Sequence, residues 1–202
     1  MPFMKKLFAA IFTLFIFSAL NAQEKPEGLF INSKAPEIKG LDQNGKEVSL
    51  KEMRKKGNVI VVFYRGSWCP YCSRYLRQLQ DGLEAIKSKG AQLIVVTPQG
   101  DEGIDSAAAK SGAGFPIIHD KDMKIAKGYG VAFKVEDRLV ARYKNSNPPI
   151  DLLKENNQTK EAWLPVPAVY IVNNEGSVTF RYFEEDYKKR LPVSELLKAL
   201  GG

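Results

Sequence analysis

Cys69 and Cys72 are the only cysteines of the 202-residue chain, and they stand two residues apart in the segment Phe63 to Cys72, FYRGSWCPYC. Thiols this close have three uses: half of a metal site, a structural clip, or a dithiol that opens and closes. A tetrahedral metal site needs two further ligands, and the chain offers one histidine, His119, and no third cysteine. A clip over so short a loop restricts the unfolded chain little and adds little stability. Redox cycling is the use that remains, and it requires neither metal nor cofactor. Pro70 suits the first turn of a helix. Cys69 is therefore expected at a helix N-terminus, where unpaired N–H groups and the positive dipole end favour the nucleophilic thiolate. Cys72, one turn on, can then close a disulfide and release whatever Cys69 has captured.

The elements that must hold this pair can be read from apolar spacing. Asn58 to Arg65 (NVIVVFYR) is a continuous apolar run, as expected of a strand covered on both faces. From Pro70 onward Leu76, Leu79, Leu83 and Ile86 repeat at threes and fours, a helix laying one stripe on that sheet, ended by Gly90. Ala91 to Thr97 (AQLIVVT) is a second buried strand, so the three elements form a right-handed crossover with parallel strands. Ile38 to Leu50, with a DQNG turn at Asp42 to Gly45, predicts a hairpin in front of this unit. Helices around Ile104 to Lys110 and Lys121 to Lys127 flank a short strand at Phe115 to Ile118, and Val135 to Tyr143 reads as a further helix. Lys144 to Leu164, rich in Asn and Pro, reads as a long loop. Ala168 to Val172 and Ser177 to Phe183 form a closing hairpin across NNEG, and Pro192 begins a helix over Val193 to Leu200.

Composition restricts the setting. The hydrophobic fraction of 44% suits one globular domain with appendages. Two of the net charges in +7 belong to Lys5 and Lys6. The remaining lysines are interspersed with acids, and no basic run interleaves with aromatics, which argues against a nucleic-acid partner. Lys5 and Lys6, the apolar stretch Leu7 to Phe17 and the small or polar residues up to Ala22 predict a secretory signal peptide over residues 1–22, cleaved after Ala22. The stretch is short of the ~20 residues that span a bilayer, so no stable membrane anchor is expected. Residues 23–33 are expected to be a flexible lead-in and 34–202 the redox domain, working in a secreted or periplasmic, oxidising setting.

FYRGSWCPYC resembles the active-site segment of thioredoxin-fold proteins and, more narrowly, of the peroxiredoxin-like branch of the alkyl hydroperoxide reductase and thiol-specific antioxidant (AhpC/TSA) family. The resemblance extends over APEIKGLDQNGKEVSL (Ala35 to Leu50), YGVAFKVEDRLVARY (Tyr129 to Tyr143), LPVPAVYIVNNEG (Leu164 to Gly176) and RYFEEDYKKRLPVSELLKAL (Arg181 to Leu200). It implies an α/β thioredoxin fold, a central mixed sheet flanked by helices with an N-terminal hairpin extension. It implies a cis-proline facing the dithiol, which falls on Val166-Pro167, and a redox exchange with protein thiol or disulfide partners or an upstream thiol reductant. Hydroperoxide reduction is the other activity it implies. One feature of the family is missing: with its peroxide-reacting cysteine aligned on Cys72, Arg65 replaces the usual proline, Cys69 the threonine and Pro167 the arginine of the peroxide pocket.

The candidate site is thus Cys69, Cys72 and Pro167 for the chemistry, with Arg65, Trp68, Pro70, Tyr71 and Val166 for substrate. Arg65, Arg74 or Arg77 could bring positive charge to the sulfurs, although Arg74 and Arg77 also read as solvated helix-surface residues. Trp163 is a candidate for the same groove, and His119 reads as a surface or hydrogen-bonded residue rather than a base. Asp186 and Tyr187 receive no chemistry. Disulfide exchange, peroxide reduction with Cys72 as the oxidised residue, and a binding domain with a static disulfide are the three functions open at this point.

Overall fold

The computed structural model describes residues 25–201, so the expected signal peptide lies outside the described residues. In chain order the elements are β1 (Lys39–Leu41), β2 (Glu47–Ser49), α1 (Leu50–Met53), β3 (Val59–Phe63), α2 (Pro70–Asp81), α3 (Leu83–Ser88), β4 (Gln92–Thr97), α4 (Asp101–Ser111) and β5 (Ile117–His119). There follow α5 (Lys124–Gly128), β6 (Ala132–Lys134), α6 (Asp137–Lys144), α7 (Leu152–Glu155), β7 (Trp163–Pro165), β8 (Ala168–Val172), β9 (Val178–Phe183) and α8 (Val193–Ala199).

The uninterrupted apolar run of β3 has its physical reason in the centre of a five-stranded mixed sheet ordered β5-β4-β3-β8-β9. β3 pairs parallel with β4 and antiparallel with β8, Phe63 lying opposite Val96 on one side and Ala168 on the other. Alternate residues point to opposite faces. Ile60, Val62, Leu93, Val95, Val169 and Ile171 pack with Leu76, Leu79 and Ile86, on the face that also carries both cysteines. Val59, Val61, Phe63, Ile94 and Tyr170 pack the other face with Ile38, Leu50 and Tyr129. The expected helix from Pro70 to Gly90 is divided at Gly82, which caps α2. A Cβ there would stand 2.5 Å from Cγ1 of Val193, so the glycine lets α8 close on the break.

The hairpin β1–β2, the crossover and the closing hairpin β8–β9 agree with the sequence expectation. Residues 25–33, expected to be a loose lead-in, have partners in the domain: Gly28 N–H donates to the Gly130 carbonyl, Asn32 N–H to Val178, and Leu29 N–H to the Tyr170 hydroxyl.

Two expectations are corrected. The Lys144 to Leu164 stretch is not a plain loop: β7 at its end pairs antiparallel with β6, which the sequence reading missed, and α7 lies between them. Val135, Leu152, Ala162 and Leu164 form a small core of their own, against which Leu139, Tyr143 and Trp68 pack. The second correction is Val166-Pro167, which is trans; the cis bond among the described residues is Asn147-Pro148. The reason is that the chain runs straight from one ladder into the next. Val166 N–H donates to Val131, the Pro167 carbonyl accepts from Glu184 N–H, and Ala168 is already opposite Phe183.

Candidate active site

The dithiol sits where β3 ends and α2 begins. Gly66 has φ +154°, and a Cβ on it would lie 2.3 Å from the Trp68 indole nitrogen, so this turn takes glycine for two reasons. The loop is pinned: Ser67 N–H donates to the Gln99 side-chain oxygen at 2.6 Å, and the Ser73 hydroxyl donates to the Ser67 carbonyl at 2.8 Å. Gln99 in turn donates to Glu155 of α7 at 2.8 Å, tying the end of β4 to the small core around Leu152. Cys69 is the N-cap of α2 with Pro70 first in the helix, as expected, and its carbonyl accepts from Cys72 and Ser73 N–H at 3.0 Å each.

Cys69 and Cys72 are unbridged thiols, each 1% exposed. Each sulfur faces its own arginine. Arg65 Nη2 donates to Cys69 Sγ at 3.3 Å and its Nη1 donates to the Tyr143 hydroxyl at 2.8 Å. The guanidinium carbon lies 3.9 Å from the Tyr187 ring centroid and 5.3 Å from that of Trp68. Arg65 is 4% exposed, and its partners are a sulfur, a phenol and two aromatic faces. A buried cation is costly unless an anion meets it. Cys69, whose pKa is lowered, is the group placed to supply that anion.

The two thiols titrate in opposite directions. Cys69 is lowered to about 5, chiefly by the hydrogen bond from the Cys72 thiol; burial opposes this, and the charge and hydrogen bond of Arg65 and the Cys72 amide reinforce it. Cys72 is raised, first by burial and then by its hydrogen bond to Cys69 and that sulfur's charge, with Arg190 pulling the other way. Arg190 Nη2 donates to Cys72 Sγ at 3.1 Å.

Beside Arg65 opens a cavity of about 370 Å³ lined by Phe133, Tyr143, Pro165, Val166, Pro167 and Tyr187. Of the residues expected from the sequence, Arg65, Val166 and Pro167 line it. Trp68 instead packs edge-on to Tyr143 with ring centroids 5.4 Å apart, and Tyr71 packs edge-on to Tyr187 at 5.9 Å. Pro70 is exposed on the helix rim. Trp163 lies elsewhere, under Lys127 at 4.5 Å, so its assignment to this groove is corrected. Arg74 and Arg77 are exposed and leave the sulfurs to Arg65 and Arg190. His119 is paired with Asp101 at 3.1 Å. Among the described residues no group of three or more His, Cys, Asp and Glu could hold a metal ion.

Sequence reasoning missed Tyr143, Arg190 and the packing role of Tyr187. Tyr143 stands in the apolar series Leu139, Val140, Tyr143, which reads as packing, and no spacing rule links position 190 to a thiol at position 72.

A profile described as the AhpC/TSA family matches residues 31–181. The thiol-disulfide oxidoreductase ResA of Bacillus thuringiensis (strain Al Hakam) is 28% identical over 106 residues, 52% of this chain and 60% of that protein. Chloroplastic peroxiredoxin Q of Gentiana triflora is 26% identical over 168 residues, 83% of this chain and 65% of that protein. The chain thus spans less than two thirds of the length of these curated relatives. Among solved structures, peroxidoxin BcpB from Mycobacterium tuberculosis superposes with a TM-score of 0.65 at 14% identity, covering 85% of this chain and 96% of the other, which shows the shared thioredoxin fold.

Proposed function

Because the chain belongs to the AhpC/TSA family, we propose that it is a thiol-disulfide oxidoreductase that cycles Cys69 and Cys72 between dithiol and disulfide. The observation that carries this reading is the buried Arg65 guanidinium against Cys69, a cation whose charge calls for a thiolate. The Cys69 thiolate attacks one sulfur of a substrate disulfide, R–S–S–R′, forming Cys69–S–S–R and expelling R′S⁻. Cys72 then attacks Cys69 Sγ, forming the internal disulfide and expelling RS⁻. Two electrons have left the dithiol, and an upstream thiol reductant returns them. The groove along Pro165, Val166 and Pro167 supports a polypeptide or small-thiol partner docking beside Arg65. Export, with the leader cleaved after Ala22, belongs to the same proposal and rests on Lys5, Lys6 and the apolar stretch that follows.

Peroxide reduction is the second reading, favoured by the Arg65–Tyr143 pair at Cys69, which offers donors to a peroxide oxygen. In that reading Cys69, whose pKa is lowered while that of Cys72 is raised, replaces the Cys72 expected from the sequence as the residue that takes one oxygen to become a sulfenic acid as ROOH leaves as ROH. Cys72 then condenses with it, forming the disulfide and releasing water. The usual proline, threonine and arginine of the family's peroxide pocket are absent, so peroxide oxidation should run no faster than about a hundredfold above a free thiolate. Parallel assays decide between the two: turnover of a protein disulfide with dithiothreitol, and consumption of hydrogen peroxide, each against a Cys69→Ser/Cys72→Ser baseline. Exchange well above baseline with slow peroxide consumption is expected; fast peroxide consumption with baseline exchange overturns the proposal.

A further inference from the structure

The Cys72 sulfur is the one reacting atom for which the exchange cycle supplies no activator. It is buried in the face of the sheet that α2 covers, and it begins the cycle as a thiol donating its proton toward Cys69. Once Cys69 is bonded to a substrate sulfur, Cys72 must give up that proton and attack. Burial alone opposes this, because a buried anion without a partner is costly.

The segment between β9 and α8 brings a cation to this sulfur. Arg190 is half-buried, with Nη2 at 3.1 Å from Cys72 Sγ. Its Nη1 donates to the carbonyls of Tyr187 and Lys189, so the guanidinium is held from its own loop. The next residue, Leu191, is 5% exposed and belongs to the same apolar cluster as Cys72 and Tyr75, which anchors the loop's end. The loop's carboxylates are engaged elsewhere: Glu184 with Lys189 at 3.6 Å, Glu185 with Lys25 at 2.8 Å, and Asp186 with the Lys188 amide at 3.1 Å. The phenols that face the guanidinium on this side, Tyr75 and Tyr182, are neutral, and the Tyr75 hydroxyl has no hydrogen-bond partner of its own. A cation held by neutral carbonyls and aimed at a sulfur serves that sulfur.

We propose that Arg190 is a catalytic residue of the second half of exchange, holding the Cys72 thiolate that breaks the mixed disulfide on Cys69. This rests on the exchange reading above. In the first half R′S⁻ leaves, and the proton that Cys72 releases passes to solvent, or to R′S⁻ where that thiolate is basic. Arg190 then neutralises the Cys72 thiolate, which forms the Cys69–Cys72 bond while the Cys69–SR bond breaks and RS⁻ departs. The arginines divide the cycle: Arg65 serves the attacking sulfur and Arg190 the resolving one.

An aromatic disulfide whose released thiolate is coloured, such as dithiobis(nitrobenzoate), separates the halves. The reduced protein should release one equivalent as Cys69 forms the mixed disulfide, and a second as Cys72 resolves it. A charge-assisted hydrogen bond supports a rate effect of roughly ten- to a hundredfold. Arg190→Met should therefore slow the second phase by that factor and change the first by less than about threefold. Arg190→Lys, which keeps the charge, should recover most of the second-phase rate, whereas Arg190→Gln, which keeps donors but not charge, should not. This rescue pattern keeps the test valid if the methionine variant folds poorly. An unchanged second phase in Arg190→Gln, or equal slowing of both phases, overturns the role of Arg190 and leaves exchange standing. Failure of the wild-type protein to release a second equivalent overturns exchange itself.

Discussion

Cys69 and Cys72 share one turn of one helix, yet their surroundings differ in almost every respect that matters to a sulfur. Cys69 is the N-cap residue, opposite an arginine that reaches a groove and rests on Tyr187 and Tyr143. Cys72 points into the core beneath an arginine delivered by the segment before α8. The first thiol is lowered to about 5 and the second is raised. Division of labour between two identical side chains is thus set by what the fold brings to each, and the cations come from positions far apart in the sequence, 65 and 190.

The largest effect should come from removing the more acidic thiol. Cys69→Ser should lower disulfide exchange by roughly a thousandfold or more, since the nucleophile itself is gone; steady-state turnover of a protein disulfide measures this. Next is Arg65→Met, which should slow the first phase of reaction with a model disulfide by roughly ten- to a hundredfold near neutral pH. In the same variant the Cys69 thiolate, followed by its ultraviolet absorbance, should titrate above about 5.

A smaller effect concerns stability. The Cys69 pKa is depressed, so its contribution to the reduced fold is fully present above the unfolded thiol value of roughly 8.5 and is lost as pH falls to about 5. Cys72 acts the other way: its pKa is raised, so its contribution is present below the unfolded value and lost as pH rises through the folded one. Thermal midpoints of reduced protein minus disulfide form should therefore rise between about pH 5 and pH 8, and Arg65→Met should flatten the rise. The smallest change is expected from Tyr143→Phe, which removes one neutral partner of Arg65 and should slow the first phase only several-fold, the worth of roughly 1 kcal/mol. Arg74→Ala, at an exposed position without a sulfur contact, should leave both phases unchanged.

Much of this was readable from residue order, and what was not has a common cause. β3 and β4 announce themselves because strands buried on both faces must be apolar throughout, and Pro70 after Cys69 marks a helix start. β6 and β7 are three-residue strands, too short to show an alternation, and β7 ends in Pro165 after an Asn-rich stretch. That hid the small core around Leu152 and Leu164, and with it the seat of Tyr143. Arg65 is legible because it lies inside the dithiol segment, as a positive charge near the sulfurs. Arg190 lies 118 residues from Cys72, and among the charges of EEDYKKR it looks like any solvated cation. The Val166-Pro167 bond is trans against what the fold resemblance implies, because the local ladder carries the chain through extended.

The asymmetry between the sulfurs is tested by trapping each one alone. Cys72→Ser and Cys69→Ser proteins are reacted with the same model disulfide, quenched with acid, and the adduct is located by peptide mass mapping. The predicted result is one equivalent held stably on Cys69 in Cys72→Ser, with Cys72 in the other variant reacting roughly a hundredfold or more slowly. A faster adduct on Cys72, or equal rates on both, would contradict the assignment of Cys69 as the attacking thiol.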